Sequence, residues 1–271
     1  MKQFIYLAVL LLMVSCSSKT NHNLNSVLWV QTAAEYQANC YQAYHTAFIY
    51  VEAALADNRW TGALEQTNDF SDLPPAVIFD LDETVFDNSA YQAQLALDGS
   101  GFQLSSWDQW VRMRKAGSIA GAVDFINYAQ NQGIEVIFIT NRECKKRDNR
   151  SSPCPQESDT IENLNALGIT GITGNNVLLK HEYIDWGSEK KSRREYIVEK
   201  YRVIMIFGDD LGDFIPGVKK EITPEKRKEM AAIFNAYWGT KWFIIPNPMY
   251  GSWRQVLKTP QCRHLQGFTE K

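Results

Sequence analysis

From residue 76 onward, short apolar runs alternate with stretches of helical period. That alternation restricts the fold more than any other feature of the chain. The runs are Ala76–Leu81, Glu135–Thr140, Asn176–Leu179, Val203–Phe207 and Lys241–Ile245. Between them lie helical stretches at Ile119–Gln132, Asp159–Leu167, Ser188–Lys200 and Pro224–Trp238. Short runs that are apolar throughout read as strands buried on both faces. Strands separated each time by a helix are parallel, because returning to the same edge of a sheet requires a crossover. The expected fold is therefore α/β, a parallel Rossmann-like sheet with helices on both faces. An aromatic-rich insertion at about 87–118 follows the first strand and predicts a small, mainly helical cap domain.

Upstream of the sheet, Ser26 to Asn58 reads as one helix. Val30, Ala33, Cys40, Tyr44, Phe48, Val51 and Leu55 recur at steps of three and four or their sums. With the linker up to Pro74–Pro75, this segment (26–74) is expected to contribute to the cap. The first fifteen residues carry Lys2 and an apolar run from Phe4 to Val14, too short to cross a bilayer comfortably. They read as a signal peptide. Met13-Val14-Ser15-Cys16 resembles a bacterial lipobox, which would make Cys16 the lipidation site and residues 16–25 a tether. An ordinary secretory signal with an incidental cysteine is the alternative. An exported chain makes disulfides possible. Cys144 and Cys154 flank a polar loop as a plausible local pair, Cys40 sits at an apolar helix position, and Cys262 completes the set.

The formal charge of −3 on 271 residues offers no broad face for a nucleic-acid backbone. Apolar residues at 45% and charged residues at 22% are ordinary for a globular protein. The histidines and cysteines lack zinc spacing.

The chemistry lies at the strand ends. The first run ends in Asp80-Leu-Asp82-Glu-Thr84 and the second in Thr140-Asn141-Arg142. Lys190 stands near the start of the helix after the third, and the fourth runs into Gly208-Asp209-Asp210-Leu-Gly-Asp213. In a parallel sheet these ends share one edge, where ligands bind. Several acids, a hydroxyl and a lysine then meet in one cleft, and acids packed together need a cation. This order resembles the haloacid dehalogenase (HAD) superfamily of phosphohydrolases. Most of all it resembles the class C acid phosphatases, bacterial lipoproteins of the e(P4) type also described as 5′-nucleotidases. Trp-Val-Gln-Thr-Ala-Ala-Glu-Tyr from Trp29 adds to the likeness, which covers most of the chain.

The resemblance implies an HAD-like core over 75–271 and an Mg²⁺-dependent phosphomonoesterase. Asp80 would bind the metal and attack phosphorus, giving a phospho-aspartyl intermediate. Asp82 would act as acid and then base, with its main-chain carbonyl on the metal. Asp209 would be a further metal ligand, and Asp213 would support the metal waters or orient Lys190. Lys190 would neutralise the phosphoryl oxygens; Lys191 is its rival, and the Lys-x-x-Arg spacing to Arg193 favours Lys190. Thr140 and the Asn141 N–H would bond the phosphoryl oxygens. Trp107 and Tyr250 would hold a flat leaving group such as a nucleobase, with packing as the alternative. Asp210 reads as a supporting residue, Asp87 and Asn88 as helix caps, and the run Lys145 to Arg150 as a solvated loop. The expected partners are a small phosphomonoester, the membrane of the bacterial cell envelope through Cys16, and a second copy of the chain in a possible homodimer. Nucleic-acid polymers are excluded. Phosphotransfer to an alcohol would use the same residues. A non-enzymatic surface lipoprotein is disfavoured by the intact Asp80, Asp82, Lys190 and Asp209.

Overall fold

The computed structural model describes residues 23–148 and 151–268. The signal peptide and Cys16 lie outside the described residues, as do Asn149 and Arg150. The strands are β1 (Pro75–Phe79), β2 (Phe86–Asp87), β3 (Gly117–Ser118), β4 (Glu135–Glu143), β5 (Val177–Lys180), β6 (Arg202–Gly208) and β7 (Trp242–Ile244). Five of them form one sheet in the order β5-β4-β1-β6-β7, with every neighbouring pair parallel. β2 and β3 pair separately as an antiparallel ribbon at the base of the insertion. The helices are α1 (Leu24–Thr32), α2 (Ala34–Ala56), α3 (Ser89–Asp98), α4 (Leu104–Met113), α5 (Ala122–Asn131), α6 (Pro155–Ala166), α7 (Lys191–Val198), α8 (Pro224–Ile233) and α9 (Ser252–Gln255).

Alternation of side chains along each strand divides the core in two. Val77 and Phe79 of β1, Val136 and Phe138 of β4, and Val177 and Leu179 of β5 pack towards α2 and α5. Ala76 and Ile78, Ile137 and Ile139, and Leu178 face the opposite layer with Ile197 of α7 and Phe214. β6 breaks the alternation: Ile204 and Met205 both join the first layer. The register against β1 skips one residue there, pairing Ala76 with Val203 and Val77 with Met205. An extra residue in one strand leaves a carbonyl outside the ladder. The carbonyl of Ile204 is taken by the indole N–H of Trp60 at 2.9 Å.

The helix expected over Ser26–Asn58 is two helices. Ala33 is extended, at φ −83° and ψ 123°. Nothing local forbids Ala33 from continuing the helix; alanine is the best helix former. Tertiary contacts decide instead. α1 turns away to pack on α3 of the insertion, α2 lies along the sheet beside α5, and Trp29 meets Tyr36 edge-on at 5.3 Å across the corner. Tyr44 of α2, fully buried, stacks on Phe207 at 5.1 Å and donates its hydroxyl to the Thr84 carbonyl at 2.8 Å. That contact ties α2 to the loop carrying Asp80 and Asp82. Gly121 lets α5 approach, since a Cβ there would stand 3.0 Å from Tyr44 Cβ.

Candidate active site

β1 is central, and the connections from it run outward in both directions, so the carboxyl ends of β1 and β6 flank the switch point of the sheet. Asp80 directly follows β1, and Asp209 directly follows β6. The Asp80 amide donates to the Phe207 carbonyl at 2.9 Å, so strand pairing fixes where its carboxylate leaves the sheet. Asp213 comes in from the next turn. Asp210 shapes that turn by accepting the Gly212 N–H at 2.8 Å, and α9 holds Asp210 in place through the Ser252 N–H and hydroxyl, both at 2.6 Å. A Cβ at Gly208 would collide with the Asp213 carboxylate, so the close approach depends on that glycine.

One oxygen from each of Asp80, Asp209 and Asp213 lies within 4.8 Å of the other two. Lys190, buried at the start of α7, forms ion pairs with Asp80 and, at 2.8 Å, with Asp213. Its neighbour Lys191 is half exposed and pairs with Glu195 at 3.2 Å, so of the two lysines it is Lys190 that meets the carboxylates. Burial pulls the Lys190 ammonium down, but Asp213 and Asp80 together outweigh it and hold it above its ordinary range. Burial raises the Asp80 carboxyl; Lys190 opposes the rise while Asp213 and Asp82 add to it, leaving it at about 6. Asp209 is pushed well above its usual range by burial and by repulsion from Asp80 and Asp213.

One ammonium thus faces three clustered carboxylates, all hard oxygen donors without sulfur or imidazole. That donor set fits a hard divalent cation. The fit has a measurable consequence. A carboxyl raised to about 6 in the folded state, against ~3.9 unfolded, contributes stability that is complete below about pH 4 and lost as pH rises through 6. A bound cation displaces that proton, so its stabilising effect must grow over the same range. Adding a hard divalent cation such as Mg²⁺ is expected to raise Tm by at least about 3 °C more at pH 7 than at pH 5, the Asp80 proton alone being about tenfold in apparent affinity and the raised Asp209 adding to it. Thermal scans with and without the ion check this, and an equal gain at both values would contradict it.

Asp82 turns away from the cluster. Its side chain forms an ion pair with Arg142 at 2.7 Å. Of the expected metal ligands, the side chains of Asp80 and Asp209 are in the cluster, Asp213 joins them, and the Asp82 side chain lies outside it. Thr140 is fully buried behind the cleft wall. Its hydroxyl lies 3.4 Å from Asp82 Oδ2 and accepts the Arg142 N–H at 3.1 Å, so it faces the acid rather than the open cleft. Asn141 lines the cleft, its amide held by Arg193 at 2.8 Å and by the Ser188 carbonyl at 3.2 Å. Arg193 also donates to the Thr140 carbonyl and fixes the end of β4 from behind. Asp87 does cap α3, accepting the Ser89 N–H at 2.8 Å. Asn88 does not: its side chain bonds Asp82 at 3.0 Å and the Trp110 indole at 2.7 Å.

Trp107 of α4 and Tyr250 from the segment before α9 line the same broad cleft, about 2030 Å³ in volume. Trp107 is braced edge-on by Tyr91 at 5.1 Å. Two features had no signal in the sequence. Asn247 donates to Asp209 at 2.7 Å and accepts the N–H groups of Met249 and Tyr250, linking a cluster carboxylate to the Tyr250 loop. Arg147, read as part of a solvated loop, instead grips Asp108 of α4 at 2.7 and 2.8 Å and also pairs with Asp159. It is a strut between cap and core, and the Cys144–Cys154 disulfide closes the base of its loop. Lys145 and Lys146 are exposed at the rim.

Comparison with known proteins agrees with this geometry. The family model for HAD superfamily, subfamily IIIB (acid phosphatase) matches residues 2–253. The crystal structure of a class C acid phosphatase from Bacillus anthracis with tungstate bound is 30% identical, with a TM-score of 0.77 over 93% of this chain and 99% of that one. A second structure of the Bacillus anthracis class C acid phosphatase gives 30% identity and a TM-score of 0.76, over 92% and 98% of the two chains.

Proposed function

The chain belongs to the acid phosphatases of HAD superfamily subfamily IIIB and is a phosphoric monoester hydrolase; we propose that it hydrolyses nucleoside 5′-monophosphates, with Asp80 as nucleophile and Mg²⁺ at its carboxylate cluster. The observation that carries the mechanism is Lys190 held between Asp80 and Asp213 at the switch point of the sheet. An ammonium fixed there neutralises the nucleophile and the incoming phosphoryl oxygens without moving. Asp80 attacks phosphorus as the bond to the leaving oxygen breaks, and Asp82 gives that oxygen its proton. Asp82 then takes a proton from the water that cleaves the phospho-aspartyl bond. Asp80, Asp209 and the Asp82 carbonyl would hold Mg²⁺, with Asp213 beside them; when bound, the ion offsets the repulsion between a carboxylate and a phosphate dianion. Tungstate, the anion bound by the Bacillus anthracis relative, is a tetrahedral oxyanion like phosphate.

The substrate class rests on Trp107 and Tyr250, two rings on the walls of a cleft far larger than a phosphate needs. Stacking of a base contributes ~1–3 kcal/mol. Tyr250→Ala is therefore expected to lower kcat/KM for nucleoside monophosphates by about 5- to 100-fold, and for a small aliphatic phosphate by about 2-fold or less. Phosphate release from both substrate classes, with Mg²⁺ and with EDTA, tests the reading. Equal losses for the two would remove the nucleobase from it. The location proposed with this activity is the bacterial cell envelope, through lipidation of Cys16, on the strength of Lys2, the apolar run and Met13-Val14-Ser15-Cys16.

A further inference from the structure

The orientation of Asp82 is set by residues outside the four motifs that carry the chemistry, or without a role in them. Its Oδ1 accepts Arg142 Nη2 at 2.7 Å, Arg142 Nε at 3.1 Å and Asn88 Nδ2 at 3.0 Å. Its Oδ2 accepts Arg142 Nε, also at 3.1 Å, and Thr140 Oγ1 at 3.4 Å. Each partner is itself fixed. Arg142 is 2% exposed, donates to Thr160 Oγ1 at 3.0 Å and lies 4.7 Å from the Phe86 ring centroid. Asn88 is fully buried, and its amide has one permissible orientation: the Trp110 N–H at 2.7 Å requires an oxygen, and the Asp82 carboxylate requires the NH₂. Its main-chain N–H goes to Glu83 at 3.1 Å. Glu83 sits in the left-handed region at φ 65°, a strained conformation held by this contact and by its own N–H on the Phe86 carbonyl at 2.8 Å.

We propose that Arg142, Asn88 and the cap residue Trp110 are positioning residues that together fix the orientation in which the Asp82 carboxyl group meets the leaving oxygen. The inference rests on the reading of Asp82 as the general acid. In the first step the Asp80–phosphorus bond forms, the bond from phosphorus to the leaving oxygen breaks, and a proton moves from Asp82 to that oxygen. In the second, water attacks phosphorus, the Asp80–phosphorus bond breaks, and a proton from the water returns to Asp82. Because Trp110 belongs to α4, the acid is correctly aimed only with the cap docked on the core. The Arg147–Asp108 strut from the same helix serves that docking.

The test is the dependence of kcat/KM on the leaving group. This ratio reports the first step, in which p-nitrophenolate departs without a proton and an aliphatic alkoxide cannot. For Arg142→Lys, which keeps the charge and loses the fork, kcat/KM on glycerol phosphate is expected to fall ~30- to 100-fold, and on p-nitrophenyl phosphate less than about 5-fold. Trp110→Phe removes the indole N–H together with part of the ring and is expected to show the same selectivity at ~5- to 10-fold, so the proposal stays testable if the arginine variant folds poorly. Asp82→Asn is the control. Selectivity in all three variants supports the inference. Selectivity in Asp82→Asn, with equal losses on both substrates in the other two, overturns the positioning role and leaves the acid in place. Equal losses in Asp82→Asn show that Asp82 is not the acid, and the inference falls with that assignment.

Discussion

Asp80→Asn is expected to lower phosphomonoesterase turnover by four orders of magnitude or more while leaving the protein folded. An amide of the same shape cannot attack phosphorus, and groups that act as a unit lose most of their effect when one is removed. The fold should tolerate the change because Lys190 keeps Asp213 at 2.8 Å, and because burial and repulsion already penalise the Asp80 charge. Its main-chain bond to Phe207 does not depend on the side chain. Phosphate release measured beside a thermal scan decides the matter. Activity within tenfold of the natural enzyme, in a protein of unchanged Tm, would remove Asp80 as nucleophile and with it the phospho-aspartyl route.

Lys190→Met is expected to be worse for stability and nearly as severe for activity. Lys190 is 3% exposed and is the ammonium paired with both Asp80 and Asp213. Removing one partner of a buried ion pair costs about 3–5 kcal/mol, because the carboxylates left behind are uncompensated. In a domain of this size that is a fall in Tm of about 10 °C. Turnover should drop at least a thousandfold, since the phosphoryl oxygens lose a fixed positive charge. Lys190→Arg should not restore it, because a planar fork cannot replace a compact ammonium between two carboxylates. Lys191→Met, at an exposed i,i+4 pair with Glu195, is expected to change stability by less than about 0.5 kcal/mol. The two methionine variants, compared by thermal unfolding and by phosphate release, separate the neighbouring lysines. Similar behaviour of both would mean that the buried triad does not hold the site together.

Much of this was legible in the chain because it is local. The strand runs announce themselves by being apolar throughout, the helices by their period, and the order of the two by their alternation. From that order follows the common edge on which Asp80, Asn141, Lys190 and Asp209 meet. Element ends were less legible. β4 continues to Glu143, three residues beyond Thr140, because Glu143 pairs with Lys180 of β5 and their side chains form an ion pair at 2.7 Å. α7 begins at Lys191 rather than Ser188, since Lys190 is drawn to the carboxylates. The bulge at Ile204 has no residue signature, because the register of β6 is set by its neighbour β1.

The sequence by itself determined the parallel sheet and the corner of it where the chemistry sits, because periodicity and strand ends are properties of neighbouring residues. Only the tertiary structure decided how the side chains of that corner are held and oriented. Arg142 reaches Asp82 across 60 residues, Trp110 reaches Asn88 across 22, and Asn247 reaches Asp209 across 38. These partners are ordinary polar side chains whose pairing depends on how cap and core pack together. The same holds for the break at Ala33, where local propensity favours one helix and the separate demands of the sheet and the insertion produce two.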